Sequence, residues 1–187
     1  MSSEINPDAQ VQQMRARFEA GLPSRLVRAS RVNLQQIIPA HWFAAAASEC
    51  ASMYVAGFFY GAISIAQAYV EALSAFLAQH HPVGVPKDPP LRWKKLCLKR
   101  VVSAQALDAA LRVLTDRNDF HHLNREVEQE FQKLEARAED CVNCLQIIES
   151  EVFAYWVDEP GRIALQTPKY WPSGGTGLAQ VNLRKLW

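Results

Sequence analysis

The sequence predicts an all-α fold: an antiparallel helical bundle with an N-terminal helix before it and an irregular C-terminal tail after it. Residues 40–81 are mostly alanine, aromatic and aliphatic side chains, as in buried helices. Residues 127–155 repeat apolar positions in steps of three and four, as a long packed helix does. A chain of 187 residues with 49% hydrophobic content can form one substantial core. We therefore expect residues 1–39 to form the N-terminal helix and a basic loop, 40–157 the bundle and 158–187 the tail.

An amphipathic helix is predicted at the start of the chain, over residues 7–20. Its apolar positions recur at helical spacing: Val11, Met14 and Phe18. Gly21 and Pro23 are expected to end it. The mixed, basic residues 24–39 are interpreted as a loop, with a short strand as the alternative.

The apolar residues 40–81 are too long for one helix of a typical globular domain, and Gly57 is the expected break. The prediction is two helices near 40–56 and 58–80. The alternative is one continuous rod in which the glycines permit close packing. Residues 81–90, HPVGVPKDPP, contain four prolines and a glycine and are predicted to leave no room for a helix.

A membrane span is the competing interpretation of residues 50–70, which hold no formal charge over 21 positions. The stretch is rich in alanine, contains serine and glutamine, and is flanked by Glu49 and Glu71 rather than by Lys or Arg. Membrane helices have stronger hydropathy and basic cytoplasmic flanks. We expect buried bundle helices and no contact with a membrane.

Two shorter helical regions are predicted next. The first is LRWKKLCLKRVV, residues 91–102, and Ser103 is the expected N-cap of the second, AQALDAALRVLTDR. The apolar stripe predicted for the second is Leu107, Ala110, Leu111 and Leu114.

The last helix has the clearest pattern, a heptad seam that predicts a long helix in an antiparallel bundle or at a dimer interface. The seam positions are Val127, Phe131, Leu134, Ala138, Cys141, Leu145, Ile148, Val152 and Tyr155. After Trp156, turn residues, a brief alternation at Ile163 and Leu165 and a glycine-rich stretch predict the irregular tail. Its last ten residues, LAQVNLRKLW, are apolar enough to dock on the body.

Charge is unevenly distributed along the chain. The formal net charge of +1 gives no global attraction to nucleic acid or to an anionic membrane. Residues 87–103 nevertheless form a basic block with one acid, and residues 126–159 carry ten acids against two bases. A solvated helix face explains most of the basic block. The functional alternative is contact with phosphates through Lys94, Lys95, Lys99 and Arg100.

The four cysteines are expected to be reduced, because the chain has a large apolar core and its polar, acidic N-terminus is unlike a secretory leader. A cytoplasmic location is the corresponding expectation. Cys141 and Cys144 have the spacing of half a zinc site, but structural zinc needs four ligands and no second pair exists. We expect both to be buried helix residues, and we predict no metal and no cofactor.

The strongest concentration of polar chemistry is the octapeptide RNDFHHLN, residues 117–124. An arginine offers a planar fork for phosphate oxygens, and a histidine transfers protons near neutral pH. Cleavage of RNA needs a group that activates the 2′-hydroxyl, a group that protonates the leaving oxygen and a cation beside the non-bridging oxygens. The structural alternative is a helix end followed by a cap, with His121 and His122 near the negative end of the helix dipole.

The octapeptide resembles the motif of the HEPN superfamily, all-α nucleotide-binding and ribonuclease domains. Arg117, Asn118 and His122 fit its Arg-polar-x-x-x-His form. The motif follows a short helix and precedes the long last helix, and an alanine-rich pair of helices with a glycine turn precedes both. The similarity covers roughly residues 40–157 by pattern. Many toxin members carry a tyrosine two residues after the histidine, where this chain has Asn124, so adenylylation of that tyrosine has no acceptor here.

The resemblance implies a metal-independent endoribonuclease, a toxin or anti-phage effector that acts on RNA as a homodimer with two facing motifs. By this resemblance Arg117 binds the scissile phosphate, His122 is the general acid/base and Asn118 orders the site. His121 and Asp119 are secondary candidates, since Arg117 and His121 share a face if the stretch stays helical. An antitoxin or regulatory protein is a further expected partner.

Two other functions stay open from the sequence. A non-catalytic HEPN-like module would bind a nucleotide or a partner protein and use the motif for structure, because a fold does not determine function. A small helical metal protein would use the cysteines and histidines.

Overall fold

A computed structural model of the chain describes residues 7–34, 37–38, 41–81, 84, 86–121, 130–159, 162–166 and 182–183. The described residues fold into a bundle of seven helices, so the predicted all-α class is confirmed. The helices are α1 Pro7–Arg31, α2 His41–Ala56, α3 Phe59–His80, α4 Pro89–Leu98, α5 Ala104–Leu114, α6 Arg117–His121 and α7 Phe131–Val152. Four short strands accompany them: β1 Ile37–Ile38, β2 Tyr155–Glu159, β3 Arg162–Leu165 and β4 Asn182–Leu183.

The first helix is longer than predicted. The prediction that Gly21 and Pro23 end it was wrong, because α1 continues through both residues to Arg31. Proline removes one backbone hydrogen bond from a helix interior. Contacts with the bundle support the turns beyond it: Arg28 donates to the carbonyl of Val55 at 3.0 Å and pairs with Glu135 at 3.2 Å. Tertiary contacts of this kind cannot be seen in the local sequence.

The predicted break at Gly57 is confirmed, since α2 ends at Ala56 and α3 begins at Phe59. Gly57 has a φ of 90°, a conformation that residues with a Cβ rarely adopt. The uncharged stretch 50–70 is therefore two helices joined by a tight turn rather than one rod. Within the described residues, one helical stretch is long and apolar enough to cross a membrane, Phe59–Gln79, and half of its most apolar part is buried inside the bundle. The core helix of a bundle has the same length and composition.

The central helix is α3, which packs on α2, α4, α5, α6 and α7. The core side chains around it are alanines, aliphatic residues and aromatic rings. Trp93 of α4 is fully buried, and its indole nitrogen donates to the carbonyl of Val70 at 3.2 Å. This contact fixes α4 against the middle of α3.

The two helices between the proline-rich stretch and the motif lie where they were predicted, but both end earlier: α4 at Leu98 rather than at residue 102, and α5 at Leu114 rather than at residue 117. Ser103 caps α5, as predicted, because its hydroxyl accepts from the backbone N–H of Ala106 at 3.1 Å. The proline-rich stretch departs from the prediction at its end. Pro89 and Pro90 form the first turn of α4, where the missing N–H has no helical partner to lose, and Asp88 is the N-cap. The buried face of α5 also differs slightly from the predicted stripe: Ala106, Ala109, Ala110, Val113 and Leu114.

The heptad seam of the last helix is confirmed in its middle, where every seam position from Ala138 to Val152 is buried. Phe131, at the start of α7, is 60% exposed. The predicted seam extends too far at its C-terminal end, because α7 stops at Val152 and Tyr155 begins β2. The predicted position Val127 lies outside the described residues.

Short strands occur where the sequence predicts loop and irregular tail. β2 and β3 pair antiparallel, with Tyr155 opposite Leu165 and Val157 opposite Ile163, the residues whose alternation marks the tail. β1 pairs antiparallel with β4, Ile37 opposite Leu183. This pair confirms the short strand considered for residues 24–39, and it joins the N-terminal region to the end of the chain.

Candidate functional site

The predicted motif begins on α6, a helix of five residues between α5 and α7. The turn before it is held from two sides. The carbonyl of Thr115 accepts from the amide nitrogen of Gln67 at 3.3 Å and from the guanidinium of Arg137 at 3.0 Å. Arg137 also donates to the carbonyls of Arg112 and Val113, at 2.9 and 3.2 Å, and so caps the end of α5. These contacts fix the direction in which the chain enters Arg117.

One face of α3 receives this turn and α6. Its polar residues recur in steps of four and three, which places them along one side of the helix. We call them the polar stripe of α3: Tyr60, Ser64, Gln67, Glu71 and Ser74. Gln67 and Ser74 are fully buried, although almost every neighbour on α2 and α3 is apolar.

Arg117 is held by this stripe. Its Nη2 donates to the Oε2 of Glu71 at 2.6 Å, across 46 positions of sequence. The side chains are 31% and 35% exposed, so the pair lies at the edge of the core with solvent access on one side. Because the contact joins one nitrogen to one oxygen, it is not the bidentate pair that arginine and carboxylate can form.

Two polar atoms beside this pair are buried without a hydrogen-bond partner among the described residues, Arg117 Nε and Gln67 Oε1. A buried donor without an acceptor costs roughly 1–3 kcal/mol. Arg117 Nε is therefore a donor without an acceptor inside the core, and only the part of the guanidinium that stays exposed can meet a group from solvent.

The other end of α6 rests on the start of the polar stripe. The hydroxyl of Tyr60 donates to the carbonyl of Phe120 at 2.7 Å, and the two rings pack with centroids 5.3 Å apart. Phe120 is buried. Phe120, in the middle of the motif, thus packs into the core and fixes the orientation of α6 on α3.

Arg92 of α4 meets the same stripe from the opposite side. Its Nη1 donates to the hydroxyl of Ser74 at 3.0 Å and to the carbonyl of Glu71 at 3.5 Å. Its remaining nitrogens bind the carbonyls of Pro86 and Lys87. These contacts make Arg92 a structural residue that ties the start of α4 to the backbone at Glu71.

The predicted site residues have different surroundings. Arg117 is half-buried and paired, Asn118 is exposed, and Asp119 is half-buried. His121 is the last residue of α6, so its backbone is one helical turn from Arg117. His122, the predicted general acid/base, and Asn124 lie outside the described residues.

The four candidate phosphate contacts follow Arg92 along α4 and the turn after it. Lys94, Lys99 and Arg100 are exposed and Lys95 is half-buried. Lys94 and Lys95 are within one turn of Arg92, whereas Lys99 is seven residues further, about 10 Å along a helix axis. Lys94 and Lys95 are thus nearer along the chain to the contact between Arg92 and the Glu71 backbone than Lys99 and Arg100 are.

The sequence interpretation missed the residues that hold the motif, above all Glu71, Gln67, Tyr60 and Arg137. A sign of the first three was present: polar side chains in steps of four and three inside the apolar stretch 40–81. In a buried helix such a stripe indicates a polar surface that another element must satisfy. Nothing local to Arg137 distinguishes it from a solvated arginine.

Cys141 and Cys144 are both fully buried on α7, which confirms their predicted position in the core. Burial raises the pKa of Cys141 to about 12 and that of Cys144 to about 11. Arg137 donates to the sulfur of Cys141 at 3.3 Å. Among the described residues there is no group of three or more His, Cys, Asp or Glu side chains placed to hold a metal.

Comparisons of the chain with protein-family models, with curated proteins and with solved structures gave no match.

Proposed function

We propose that the chain is a metal-independent endoribonuclease whose site is built on α6 and the residue that follows it. The observation that carries the proposal is Arg117: a cation at the edge of the core, held by Glu71 and by the turn at Thr115, whose side chain is still 31% exposed. Such a group suits a phosphate oxygen. The motif alone is short enough to occur by chance. The polar stripe that holds its arginine is harder to attribute to chance, because buried polar groups cost free energy unless they are hydrogen-bonded.

The reaction is transesterification of a phosphodiester. The 2′-hydroxyl loses its proton to a base, its oxygen bonds to phosphorus, and the 5′-oxygen leaves with a proton from an acid. Arg117 neutralises the non-bridging oxygens, and His122 transfers a proton. Asn118, exposed beside Arg117, orders the substrate. His121 and Asp119 support the site.

Only one histidine of each motif can share the cleft with Arg117, so a second copy of the chain supplies the group for the other proton transfer. A homodimer whose two copies of residues 117–122 face one cleft is the assembly we propose. A cytoplasmic toxin or anti-phage role, and control by an antitoxin or regulatory protein, are extensions of the resemblance to HEPN domains.

The second candidate is a non-catalytic module that binds a nucleotide or a partner protein. The ion pair between Arg117 and Glu71 favours it, because a carboxylate already occupies one nitrogen of the guanidinium. In that case the ion pair only holds α6 against α3 and has no role in catalysis.

Cleavage of a mixed RNA substrate in EDTA distinguishes the two. We expect the wild-type chain to cleave and the double variant Arg117→Ala, His122→Ala to be inactive. Arg112→Ala is the matched control, since it removes a half-exposed arginine paired with Asp140 outside α6. It should cleave like the wild type. Absence of cleavage by the wild type, or equal cleavage by the double variant, would contradict the nuclease proposal and favour the non-catalytic binding module.

A further inference from the structure

The start of α4 is bound to the part of α3 that holds Arg117, and Arg92 is the link between them. Its Nη1 donates to the carbonyl of Glu71 at 3.5 Å and to the hydroxyl of Ser74 at 3.0 Å. Its Nη2 donates to the carbonyl of Lys87 at 2.6 Å, and its Nε to that of the preceding residue at 3.1 Å. The backbone at Lys87 is therefore fixed beside Glu71, the residue whose carboxylate binds Arg117.

Lys87 is an exposed cation at this fixed position. Its backbone carbonyl, and not its side chain, receives the bond from Arg92, so its ammonium group takes no part in that contact. Within the described part of the chain no carboxylate forms an ion pair with it. The two carboxylates of this region already have donors: Asp88 accepts from the backbone N–H of Leu91 at 3.0 Å, and Glu71 accepts from the motif arginine. Lys87 can therefore bind an anion from solvent.

The other cations that the structure describes beside Arg117 are bound within the protein. Arg92 has a protein oxygen at each of its three guanidinium nitrogens. Arg137 donates to three carbonyls at and after the end of α5. Arg112 is paired with Asp140. These three arginines contribute positive charge, but their donors already have protein acceptors.

The charges on either side of Arg117 differ in sign. Apart from His121, the other charged residues of α6 and of the turn before it are acids, Asp116 and Asp119, which repel phosphate. On the α4 side, Arg92 binds carbonyls and a hydroxyl rather than a carboxylate and so keeps its charge. A polyanion bound at Arg117 is therefore attracted towards the start of α4.

The position of Lys87 differs from that of the lysines that follow on α4. Lys94 and Lys95 are joined to Arg92 through the helix backbone. Lys87 instead meets the guanidinium of Arg92, the group that touches Glu71. Lys87 is thus the described lysine with the shortest series of contacts to the ion pair of Arg117.

We propose that Lys87 binds the RNA phosphate next to the scissile phosphate, so that the substrate crosses the edge of α3 from Arg117 to the start of α4. The inference rests on the proposed function, which supplies the RNA. The helix end itself offers no donor there: the first two residues of α4 are prolines without an N–H, and the next N–H is bound to Asp88. A lysine on a flexible stem neutralises a backbone phosphate without reading the base.

The test is binding of a single-stranded 2′-O-methyl RNA, which has no 2′-hydroxyl to attack the phosphate, measured by fluorescence anisotropy at a series of salt concentrations. Each phosphate contact of a single strand contributes about 0.7 to the slope of log affinity against log salt. We expect Lys87→Gln to lower that slope by about 0.7 and Lys87→Arg to keep it. Arg17→Gln is the matched control, because it removes an exposed cation from α1 and should leave the slope unchanged.

Cleavage of unmodified RNA separates this proposal from the proposed function. If both hold, Lys87→Gln raises KM and leaves kcat unchanged, because Lys87 holds the strand away from the reacting atoms. Binding of the 2′-O-methyl strand through Lys87 without cleavage by the wild type would refute the nuclease and support the phosphate contact. Cleavage with an unchanged salt slope in Lys87→Gln would refute the contact and leave the nuclease.

Three further results would overturn the contact. An equal loss of slope in Arg17→Gln would show that only the net charge matters. A loss confined to Lys94→Gln would move the contact further along α4. Binding of polyglutamate through Lys87 as tightly as RNA would identify an acidic protein as the ligand instead.

Discussion

At the scale of single residues, Arg117 is positioned by contacts from two other helices. Glu71 of α3 accepts from its Nη2, and the turn before it is held at Thr115 by Gln67 and Arg137. The contacts at the Thr115 carbonyl fix the backbone position of Arg117, and the ion pair with Glu71 fixes the orientation of its guanidinium. Loss of the carboxylate should therefore misdirect the cation while the turn and α6 stay in place.

We predict that Glu71→Ala lowers kcat/KM for RNA cleavage by about 10²-fold, the usual cost of misplacing a positioned group. Thermal stability should change little, because a half-exposed ion pair contributes at most about 1 kcal/mol. Glu139→Ala, which removes the partner of Arg31 far along α7, is the control and should cleave normally. Glu71→Gln should recover part of the loss by keeping an acceptor. Full activity of Glu71→Ala would show that the ion pair only fastens α6.

Contacts between single side chains were the part of the structure that the sequence predicted least well. Arg117 and Asn118 could be selected because their types and spacing suggest phosphate chemistry. Glu71 could not be assigned to them, since 46 positions separate it from Arg117 and only the packing of α6 on α3 brings the two together. His122 stays a prediction from the motif.

At the scale of elements, the turn between α2 and α3 organises the surrounding helices. It supports Arg28 of α1 on one side and the end of α6 on the other, through Val55 and Tyr60. Gly57 permits the turn, because its φ of 90° costs a residue with a Cβ roughly 1–2 kcal/mol.

Replacement of Gly57 by alanine should lower the free energy of unfolding by about 1–2 kcal/mol, measured by urea denaturation. The added Cβ would meet only Arg28 Nη2 at 3.6 Å, an ordinary contact, so the loss reports backbone strain. Gly21→Ala is the matched control, since Gly21 is helical and alanine there should be neutral or stabilising by about 0.5–1 kcal/mol. Equal stability of Gly57→Ala and the wild type would mean that the turn does not depend on its glycine.

The helix and strand boundaries show which local sequence patterns predict structure correctly. Gly57, the Ser103 cap and the middle of the α7 seam were predictable because each depends on neighbours in sequence. The end of α1 was not, because Pro23 favours termination locally and the contacts of Arg28 and Arg31 with α7 outweigh it. β1 and β4 pair across most of the chain, which two-residue segments cannot reveal in advance.

At the scale of the whole molecule, the bundle holds the motif helix α6 and the last turns of α1 on either side of the turn between α2 and α3. The fold class followed from composition and periodicity, which average over many residues. The exposed apolar side chains did not, because they can be recognised only once the core is known.

The most direct test of the central claim compares His122→Ala with His121→Ala in RNA cleavage. Neighbouring side chains on a helix diverge by about 100°, so only one of them can share a cleft with Arg117. We predict that His122→Ala lowers the rate by ~10²–10⁴-fold, as loss of a proton-transfer group does, while His121→Ala keeps measurable activity and both variants stay dimeric. The reverse ranking would move the chemistry to His121, one turn from Arg117 on α6. Full activity of both variants would contradict the account and remove the motif from catalysis.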